Sequence, residues 1–429
     1  MSLPSTAPAD PSATPHLVVR SQRVDDVSPA LLDHLPPDGT LAWVRRGDGI
    51  AGWGRAARLD IAGSNRFTDA QRWWSKLTAA AVVRDEVDVP GSGLVCFGSF
   101  AFTDGQSTDM SDPSVLVVPE VVVGRRGPTT WVTTVSPVSS ITAPPELTRY
   151  VPSPAGQVTF ADGARSGAQW SAIVADAVRR IGAGALDKVV LARDLVALAD
   201  RPIDLRLPLR RLAESYPACW TFAVDGLIGA TPELLVRRER GLITSRVLAG
   251  TIRRTGDDAH DLALAASLAR SSKDLEEHEF AVRSVADALQ PHCQSMLVPE
   301  TPFVLHLPNV MHLATDVTGV AANGASALGL AAALHPSAAV CGTPTPVARD
   351  LIAELEGMQR GRYSGPVGWM DGNGDGEWGI ALRCGQADPE DPSRMRLFAG
   401  CGIVAGSDPV AELAESNAKL VPMRDALGD

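Results

Sequence analysis

Hydrophobic residues in the first part of the chain, from about residue 17 to residue 135, occur in short runs rich in β-branched side chains. Such runs, separated by Gly, Pro and Asp, predict β-strands joined by turns. One stretch near residues 69–83 instead repeats its apolar positions at helical spacing. This part of the chain is therefore predicted to be antiparallel sheet with one helix.

The pattern changes from about Ser166, where helices and strands are mixed. A helix is predicted from about Ser166 to Gly182 or Gly184. Further helices are predicted over residues 257–289, 325–334, 347–356 and 409–427. Strands are predicted in DKVVLARDLVAL, CWTFAVDG, LIGATPELLVRRER, GLITSRVLAGTIRR, FVLHLPNVMHLATDVTGV, GPVGWMDGNGDGEWGIALRCG and MRLFAGCGIVAG. Because strands follow strands as often as they follow helices, an α+β fold with antiparallel sheets is favoured over a doubly wound parallel one.

The segment DGNGDGEW matches the first half of a calcium-binding EF-hand loop through Asp371, Asn373 and Asp375. The last position of that loop is Leu382, where the pattern requires Glu, and both flanking segments are strand-like. A β-hairpin turn is therefore predicted here rather than a calcium site.

The domain organisation is predicted from a Pro- and Ser-rich segment at residues 136–154, which is the best candidate for a connection. Residues 1–16 are predicted to be a disordered tail. Residues 17–150 would form a variable, strand-rich N-terminal part, and residues 151–429 the part that carries the candidate chemistry. Both parts are expected to form one compact unit.

The composition limits the classes of partner. With 45% hydrophobic and 21% charged residues among 429, the chain has the balance of a globular protein in water. Its net charge is -11 and no basic stripe stands out, so no nucleic-acid partner is expected. Neither a signal peptide nor an apolar run of about eighteen residues is found, so no membrane association is expected. The six cysteines form no CxxC pair, which argues against a zinc cluster and favours a cytoplasmic location.

Lysine is rare in this chain. Only Lys76, Lys188, Lys273 and Lys419 occur among 39 basic residues. Arginine keeps its proton in proteins, whereas a buried lysine can lose it and act as a base. An arginine-biased genome would also leave few lysines by chance, so the position of each lysine has to be considered in its own context.

Two predicted helices carry acidic residues on one face. Asp274 and Glu277 are three residues apart, as are Glu412 and Glu415, so each pair shares a helix face. Each pair taken alone is typical of a solvated helix surface. If the two faces met, their carboxylates would form an oxygen-rich site suited to Mg²⁺.

Lys188 and Glu233 each stand at the start of an apolar strand segment. Burial disfavours the charged forms of both side chains, so in an enclosed site the amine could act as a base and the carboxyl as an acid. A structural ion pair, or two residues that never meet, would fit the same spacing.

Ten segments of the second part occur together and in one order: DKVVLAR, GATPELL, LAGT, SSKDLEEHE, HLATDVTG, LHPSAAVCGTP, RGRYSGPVGW, ALRCG, FAGCGIVAGSDP and ELAESNAKL. Through them the chain resembles the chorismate-utilising enzymes, and among these the isochorismate synthases, over about residues 166–420. The N-terminal part resembles the family only in general character. The resemblance implies layered antiparallel β-sheets flanked by helices, with the active site in a cleft between them.

The resemblance also implies a reaction, the reversible and Mg²⁺-dependent isomerisation of chorismate to isochorismate. Lys188 would activate a water molecule that attacks C2 of chorismate. Glu233 would protonate the departing C4 hydroxyl.

The same resemblance implies a metal site and a substrate pocket. Glu277 and Glu415 would hold Mg²⁺, supported by Asp274 and Glu412 from the same helix faces; relatives often have Glu in place of Asp274. Arg383 and Tyr363 would bind the enolpyruvyl carboxylate. The rest of the pocket would be formed by Ala249, Gly250, Thr251, His312, Gly400, Gly402 and Lys419.

Lys188 separates branches of the family, because relatives that use ammonia tend to have a neutral residue at its position. Water chemistry is therefore expected. Salicylate synthases, which go on to eliminate pyruvate, share the lysine and are the nearest alternative, although LHPSAAVCGTP is more similar to the isochorismate synthases. A non-catalytic chorismate-binding homologue is the alternative from another class. The family resemblance favours a monomer.

Overall fold

The computed structural model describes residues 15–25, 28, 30–104, 113–138, 145–307, 310–322 and 324–428, except for the side chains of Lys273 and Glu277. Most of the predicted N-terminal tail lies outside the described residues.

The strands of the described residues are β1 (Leu17–Arg23), β2 (Leu41–Arg45), β3 (Asp48–Trp53), β4 (Ala57–Ile61), β5 (Val82–Asp85), β6 (Val95–Ser99), β7 (Ser114–Val118), β8 (Val121–Arg126), β9 (Thr129–Pro137), β10 (Val158–Asp162), β11 (Lys188–Ala199), β12 (Trp220–Val224), β13 (Leu227–Thr231), β14 (Leu234–Glu239), β15 (Leu242–Arg253), β16 (Cys293–Leu297), β17 (Phe303–His306), β18 (Val310–Ala321), β19 (Gly342–Thr343), β20 (Pro366–Asp371), β21 (Gly376–Ile380), β22 (Cys384–Ala387) and β23 (Arg394–Ile403). The α-helices are α1 (Arg66–Ala80), α2 (Gly167–Gly182), α3 (Arg206–Ser215), α4 (Asp258–Leu268), α5 (Ser272–Leu289), α6 (Ala327–Leu334), α7 (Thr345–Leu355) and α8 (Pro409–Leu427). Short 3-10 turns lie at Leu31–His34 and Gln290–His292.

The described strands form two sheets. The larger has the order β10-β11-β23-β22-β13-β12-β2-β3-β8-β9-β1-β5, with β19 paired to β11. The smaller has the order β16-β18-β15-β14-β21-β20-β6-β7-β4, with β17 paired to β18. Within the described residues every neighbouring pair is antiparallel except β1 with β5. The predicted α+β class with layered antiparallel sheets is confirmed.

In each sheet the strands of the first part of the chain form one block, which pairs with a block of strands from the second part. In the larger sheet β2 pairs with β12, and in the smaller sheet β6 pairs with β20. A core cluster joins the facing sides, with Trp43, Trp131 and Phe222 from one sheet packed with Phe97 and Trp369 from the other. The first 150 residues therefore contribute to the same hydrogen-bonded sheets as the rest of the chain.

The helices pack around these sheets. The helix predicted from Ser166 is α2, and it begins in a capping box in which Ser166 and Gln169 satisfy each other's backbone N–H groups. It buries Trp170 and Val174 in the core. Helix α8 packs against β23 and against α2 and α3. No helix of the described chain is both long enough and apolar enough to cross a membrane.

FVLHLPNVMHLATDVTGV, predicted as one strand, forms two, β17 and β18, which pair with each other. Three further predicted elements differ from the structure. Helix α1 covers residues 66–80, three residues earlier than expected, and Val83 lies in strand β5. The helix predicted over residues 257–289 is two helices, α4 and α5, because the chain turns at 269–271 and Ser271 caps α5 by accepting a hydrogen bond from Asp274 N at 3.3 Å.

The third difference concerns LIGATPELLVRRER, which was predicted as one strand and forms two, β13 and β14, in different sheets. Pro232 follows the end of β13, and a proline cannot donate a hydrogen bond to a sheet. The chain therefore leaves the larger sheet here and enters the smaller one. The hairpin predicted at DGNGDGEW is present as β20 and β21.

Candidate active site

A cleft of about 270 Å³ lies between the two sheets, beside α5 and α8. It brings together all predicted site residues whose side chains are described: Lys188, Glu233, Ala249, Gly250, Thr251, Asp274, His312, Tyr363, Arg383, Gly400, Gly402, Glu412, Glu415 and Lys419. Glu277 is in α5, but its side chain lies outside the described residues.

Two of these residues lie where the chain crosses between the sheets. Glu233 is in the connection from β13 of the larger sheet to β14 of the smaller sheet. Arg383 is in the connection from β21 of the smaller sheet back to β22 of the larger one. The two crossings place an acid and a cation in the same cleft.

Lys188 is the first residue of β11, and its side chain passes over a glycine of the neighbouring strand β23. A Cβ atom placed on Gly402 would lie 2.9 Å from Cε and 3.4 Å from Nζ of Lys188. The missing side chain at Gly402 therefore provides the space in which the lysine reaches the cleft.

Glu233 is only 8% exposed. Burial raises the pKa of its carboxyl to about 7, although the positive charges of Lys188, Arg383 and Lys419 work in the opposite direction. The raised pKa keeps a protonated form of this carboxyl available near neutral pH, which suits an acid that must give up a proton.

Arg383 has a backbone φ of 49°, in the left-handed region that residues with a side chain seldom adopt. Such strained conformations persist where the surrounding structure holds them, and they occur often at functional sites. Within the described part of the chain the Arg383 guanidinium donates no hydrogen bond. Its donors are therefore available to a carboxylate in the cleft.

Tyr363 stands near Arg383 on the cleft wall, with its ring stacked on Phe398 at a centroid distance of 5.0 Å and an angle of 11°. A Cβ atom on Gly400 would lie 3.1 Å from the Tyr363 hydroxyl, so this glycine leaves room for the phenol. Burial holds the pKa of Tyr363 above its usual range, and the hydroxyl remains a hydrogen-bond donor.

The smaller sheet contributes a histidine to the opposite wall. Gly250, at φ 75°, forms a bulge in β15, and beyond it Thr251 faces His312 across the sheet. The Thr251 hydroxyl lies 2.9 Å from Nδ1 of His312, whereas Nε2 is buried and has no hydrogen-bond partner in the described part of the chain. Burial, with the charges of Arg383 and Lys419, lowers the pKa of His312 to about 3, so the ring is neutral.

Helix α8 supplies the acidic end of the cleft. Oxygen atoms of Glu412 and Glu415 and the sulfur of Cys401 lie within 4.8 Å of one another. Glu412 accepts a hydrogen bond from Ser407 Oγ at 2.8 Å, and Glu415 pairs with Lys419 at 2.6 Å. Lys419 also donates to Gly400 O at 2.9 Å, which fixes its amine against β23.

The pKa values of the two glutamates are shifted in opposite directions. Burial, and the negative charge of Glu415, raise the pKa of Glu412. Burial acts in the same direction on Glu415, but the charge and the hydrogen bond of Lys419, together with the charge of Arg383, outweigh it and lower the pKa of that carboxyl. A cation placed between the two carboxylates would relieve the repulsion between them.

Comparison with known proteins decides the family. The family model described as "Chorismate binding enzyme" matches residues 13–428. The chain belongs to this family. It is 37% identical over 350 residues to a protein of Mycobacterium tuberculosis named putative isochorismate synthase MenF, over 79% of this chain and 87% of that protein.

Two further relatives agree with this assignment. The chain is 42% identical over 267 residues to isochorismate synthase DhbC of Bacillus subtilis, an alignment that covers 59% of this chain and 66% of that protein. A crystal structure from Bacillus anthracis, titled as a putative 2,3-dihydroxybenzoate-specific isochorismate synthase, superimposes with a TM-score of 0.76 at 32% identity. That match covers 93% of this chain and 98% of the other.

This chorismate-binding enzyme also has cleft residues that sequence reasoning missed, among them Ala339, Val340, Arg360, Ser364 and Phe398. All of them lie in or near segments that carried the family resemblance. Their contacts, and not their residue types, reveal what they do.

Arg360 is the most connected of these residues. Its guanidinium donates to Val190 O at 2.7 Å, to Val340 O at 2.9 Å and to Ser364 Oγ at 3.1 Å, so it ties three segments of the cleft wall together. Its charge is balanced by Glu356, four residues earlier, and both side chains are almost completely buried. The four-residue spacing of acid and base was a signal in the sequence, although such pairs are commonly on the surface.

Proposed function

We propose that this chorismate-binding enzyme is an isochorismate synthase that converts chorismate to isochorismate. The observation that carries the proposal is the placement of Lys188 and Glu233 in one cleft, with the pKa of Glu233 raised to about 7 by burial. A base that activates water and an acid that protonates a leaving hydroxyl are the two groups this exchange needs.

The proposed reaction moves a hydroxyl group around the ring. Lys188 takes a proton from a water molecule as the water oxygen bonds to C2 of chorismate. The two ring double bonds shift, from C1=C2 to C1=C6 and from C5=C6 to C4=C5, and the C4 hydroxyl leaves with the proton of Glu233 as a second water molecule. One water is consumed and one is released, so the reverse reaction exchanges the roles of the two residues.

The substrate carries two carboxylates, and the cleft offers separate groups for them. The free donors of Arg383 and the hydroxyl of Tyr363 suit the enolpyruvyl carboxylate. Nε2 of the neutral His312 ring, which has no partner among the described residues, is placed to form a hydrogen bond with the bound molecule. These groups give a dianion local attraction in a protein of net charge -11.

We propose that Mg²⁺ completes the site at its acidic end. The donor set fits, because Glu412 and Glu415 approach each other there, Asp274 lines the same cleft, and carboxylates with room for water are what Mg²⁺ prefers. Glu277 is proposed as a further ligand on sequence grounds. When bound, the ion would supply positive charge for the second substrate carboxylate.

The proposal is tested by incubating the purified chain with chorismate, with Mg²⁺ or with EDTA, and identifying the products by NMR. Mg²⁺-dependent isochorismate in balance with chorismate is the expected result. Salicylate and pyruvate would reassign the chain to the lyase branch. No turnover with water or with ammonium would leave a binding protein as the remaining function.

Two matched substitutions test the assigned residues. Lys188→Ala should abolish turnover, while Lys76→Ala, at an exposed position of α1, should leave it unchanged. Glu277→Gln should remove the Mg²⁺-dependent activity without unfolding the chain, and Glu300→Gln, at an exposed position, is its control. Turnover by Lys188→Ala at the rate of the unaltered chain would refute the mechanism.

A further inference from the structure

Helix α8 carries three charged side chains of the candidate active site. Glu412, Glu415 and Lys419 all line the cleft, and the two glutamates form its acidic end. Lys188, the proposed base, is on a different element, the strand β11. The distance between the acidic end and the lysine therefore depends on the contacts that hold α8 in place relative to β11.

Arg193 makes such a contact from the face of β11 that points away from the cleft. Side chains alternate along a strand, and Lys188 and Val190 line the cleft. Val189 and Leu191 instead pack in a core cluster with residues of helix α2. Arg193 continues this second series, and its side chain is only 4% exposed. Its guanidinium is therefore buried on the side of the sheet that the helices cover.

The Arg193 guanidinium reaches the turn of α8 that follows Glu415. Nη1 donates to Asn417 Oδ1 at 2.8 Å and to Ser416 Oγ at 3.5 Å. Nη2 donates to Asp162 Oδ1, in β10, at 3.3 Å. Ser416 and Asn417 are the two residues after Glu415. The contact therefore holds the backbone of α8 directly beside one carboxylate of the acidic end.

Two further hydrogen bonds join α8 to the neighbouring strand β23. Lys419 Nζ donates to Gly400 O at 2.9 Å, and Cys401 Sγ donates to Glu412 O at 3.4 Å. The first uses a side chain of the cleft itself, and a thiol is a weak donor. The hydrogen bond from Arg193 is assisted by a full positive charge and is made outside the cleft. It is therefore suited to fixing α8 independently of what occupies the site.

Stability alone gives a poor explanation for an arginine at this position. Nε of Arg193 is buried and has no hydrogen-bond partner in the described part of the chain. The carboxylate that Arg193 contacts, that of Asp162, is 50% exposed. An apolar side chain of similar size would avoid the free-energy cost of burying a guanidinium. The contact with α8 offers a reason for the charge.

We propose that Arg193 and Asn417 are positioning residues that set the affinity of the acidic end for Mg²⁺. Their hydrogen bond fixes the turn of α8 that carries Glu415, and neither side chain touches the cation or the substrate. This inference rests on the proposed Mg²⁺ site. Groups that orient metal ligands from outside change metal affinity by roughly 10–100-fold when they are removed, and a link through the helix backbone belongs at the lower end of that range.

The test is a titration of the purified full chain with Mn²⁺, a substitute for Mg²⁺ whose free ion is measured by electron paramagnetic resonance. Asn417→Ala should raise the dissociation constant about tenfold. Asn417→Asp should bind Mn²⁺ at least as tightly as the unaltered chain, because a carboxylate also accepts the hydrogen bond of Arg193. Val410→Ala is the matched control, since it shortens a 73% exposed side chain of the same helix, and it should leave the dissociation constant unchanged.

Turnover distinguishes positioning from a loss of structure. In Asn417→Ala the Mg²⁺ concentration at half-maximal rate should rise by about the same factor as the Mn²⁺ dissociation constant, while kcat at saturating Mg²⁺ should stay within about twofold. Arg193→Met should also weaken Mn²⁺ binding. The double variant should bind no more weakly than Arg193→Met alone, because both substitutions remove the same contact. If Arg193→Met does not fold, Asn417→Ala decides the question.

The possible failures have different consequences. Equal Mn²⁺ affinity in Asn417→Ala and in the unaltered chain would refute the positioning role and leave the proposed Mg²⁺ site intact. A lower urea midpoint of Asn417→Ala with unchanged Mn²⁺ affinity would likewise refute it, because the contact would then act on stability only. Failure of both the unaltered chain and Val410→Ala to bind Mn²⁺ would refute the proposed metal site and this inference together.

Discussion

Glu233, the proposed acid, shows at the scale of one residue that a group suited to catalysis can work against the stability of its own fold. Its pKa is about 7 in the folded chain and 4.5 when exposed. Because the folded value is the higher one, its contribution to stability is fully present below pH 4.5 and is lost as the pH rises through 7. The fold therefore tolerates a buried carboxylate at high pH for the sake of the reaction.

We predict that Glu233→Gln stabilises the chain at pH 8 while abolishing turnover. Removing the buried charge should raise the free energy of unfolding at pH 8 by up to about 3 kcal/mol and change it little at pH 4. Urea unfolding at both pH values measures this difference. Glu300→Gln should behave as the unaltered chain at both, and equal gains from Glu233→Gln at pH 4 and pH 8 would contradict the burial argument.

A second prediction at the scale of one residue concerns Gly402, the glycine beside the Lys188 side chain. A methyl group at this position would meet Cε of Lys188 at 2.9 Å, and a flexible side chain can move away from it. Gly402→Ala should therefore change the stability by less than about 1 kcal/mol, yet lower kcat by about 10–100-fold through displacement of the amine. Gly406→Ala is the control, because nothing lies within 4 Å of a Cβ atom there. Unchanged kcat in Gly402→Ala would show that the lysine does not need this space.

At the scale of elements, the strands and helices depend on contacts that cross from one element to another. The Glu356 and Arg360 side chains are a buried pair, and they connect the end of α7 to β11 and to the loop at Val340. Glu356 also accepts a hydrogen bond from Ala192 N at 2.7 Å. This pair therefore holds the strand that carries Lys188.

We predict that Glu356→Gln destabilises the chain by about 3–5 kcal/mol, because it leaves the charge of Arg360 buried without its partner. Glu354→Gln, two residues earlier, removes an exposed ion pair with Arg180 and should cost less than about 1 kcal/mol. Thermal and urea unfolding of the two variants measure the contrast. Equal losses of stability in the two variants would mean that burial of the Glu356–Arg360 pair does not determine its contribution to the free energy of unfolding.

The elements also show what sequence patterns can and cannot predict. The hairpin at DGNGDGEW and the start and end of α2 carry Gly, Asp and Ser signals, and both were predicted. The break between α4 and α5 has neither Gly nor Pro at 269–271, so helical periodicity continued through it. The strand break at Pro232 lies between two apolar runs, and only the tertiary structure decides that they belong to different sheets.

The residues of the candidate active site were likewise predicted only where they leave a local signal in the sequence. Lys188 was noticeable because lysine is rare in this chain. The three-residue spacing within each acidic pair, Asp274 with Glu277 and Glu412 with Glu415, predicted acidic helix faces. The convergence of these groups in one cleft came only from the family resemblance, because spacing does not reveal which sheet faces which. Arg360 was missed because its hydrogen bonds to the backbone carbonyls of Val190 and Val340 join distant segments and leave no mark on the sequence.

At the scale of the whole molecule, the first 150 residues complete both sheets. Strands β12 and β20, from the second part, each lose a hydrogen-bonded neighbour if β2 and β6 are removed. We predict that a fragment of residues 151–429 does not fold cooperatively, since it would expose two sheet edges and the facing core. Circular dichroism and thermal unfolding, compared with the full chain, test this. A cooperative transition in the fragment would establish residues 151–429 as an independent domain.

The two crossings of the chain between the sheets have a mechanical consequence. Glu233 and Arg383 each belong to a short bridge anchored at one end in the larger sheet and at the other in the smaller one. Any sliding of one sheet over the other therefore displaces the proposed acid and the proposed carboxylate-binding group at the same time. The rate of turnover should therefore depend on how the two sheets are aligned. A distant substitution that shifts one sheet relative to the other should slow turnover before it lowers the amount of folded protein.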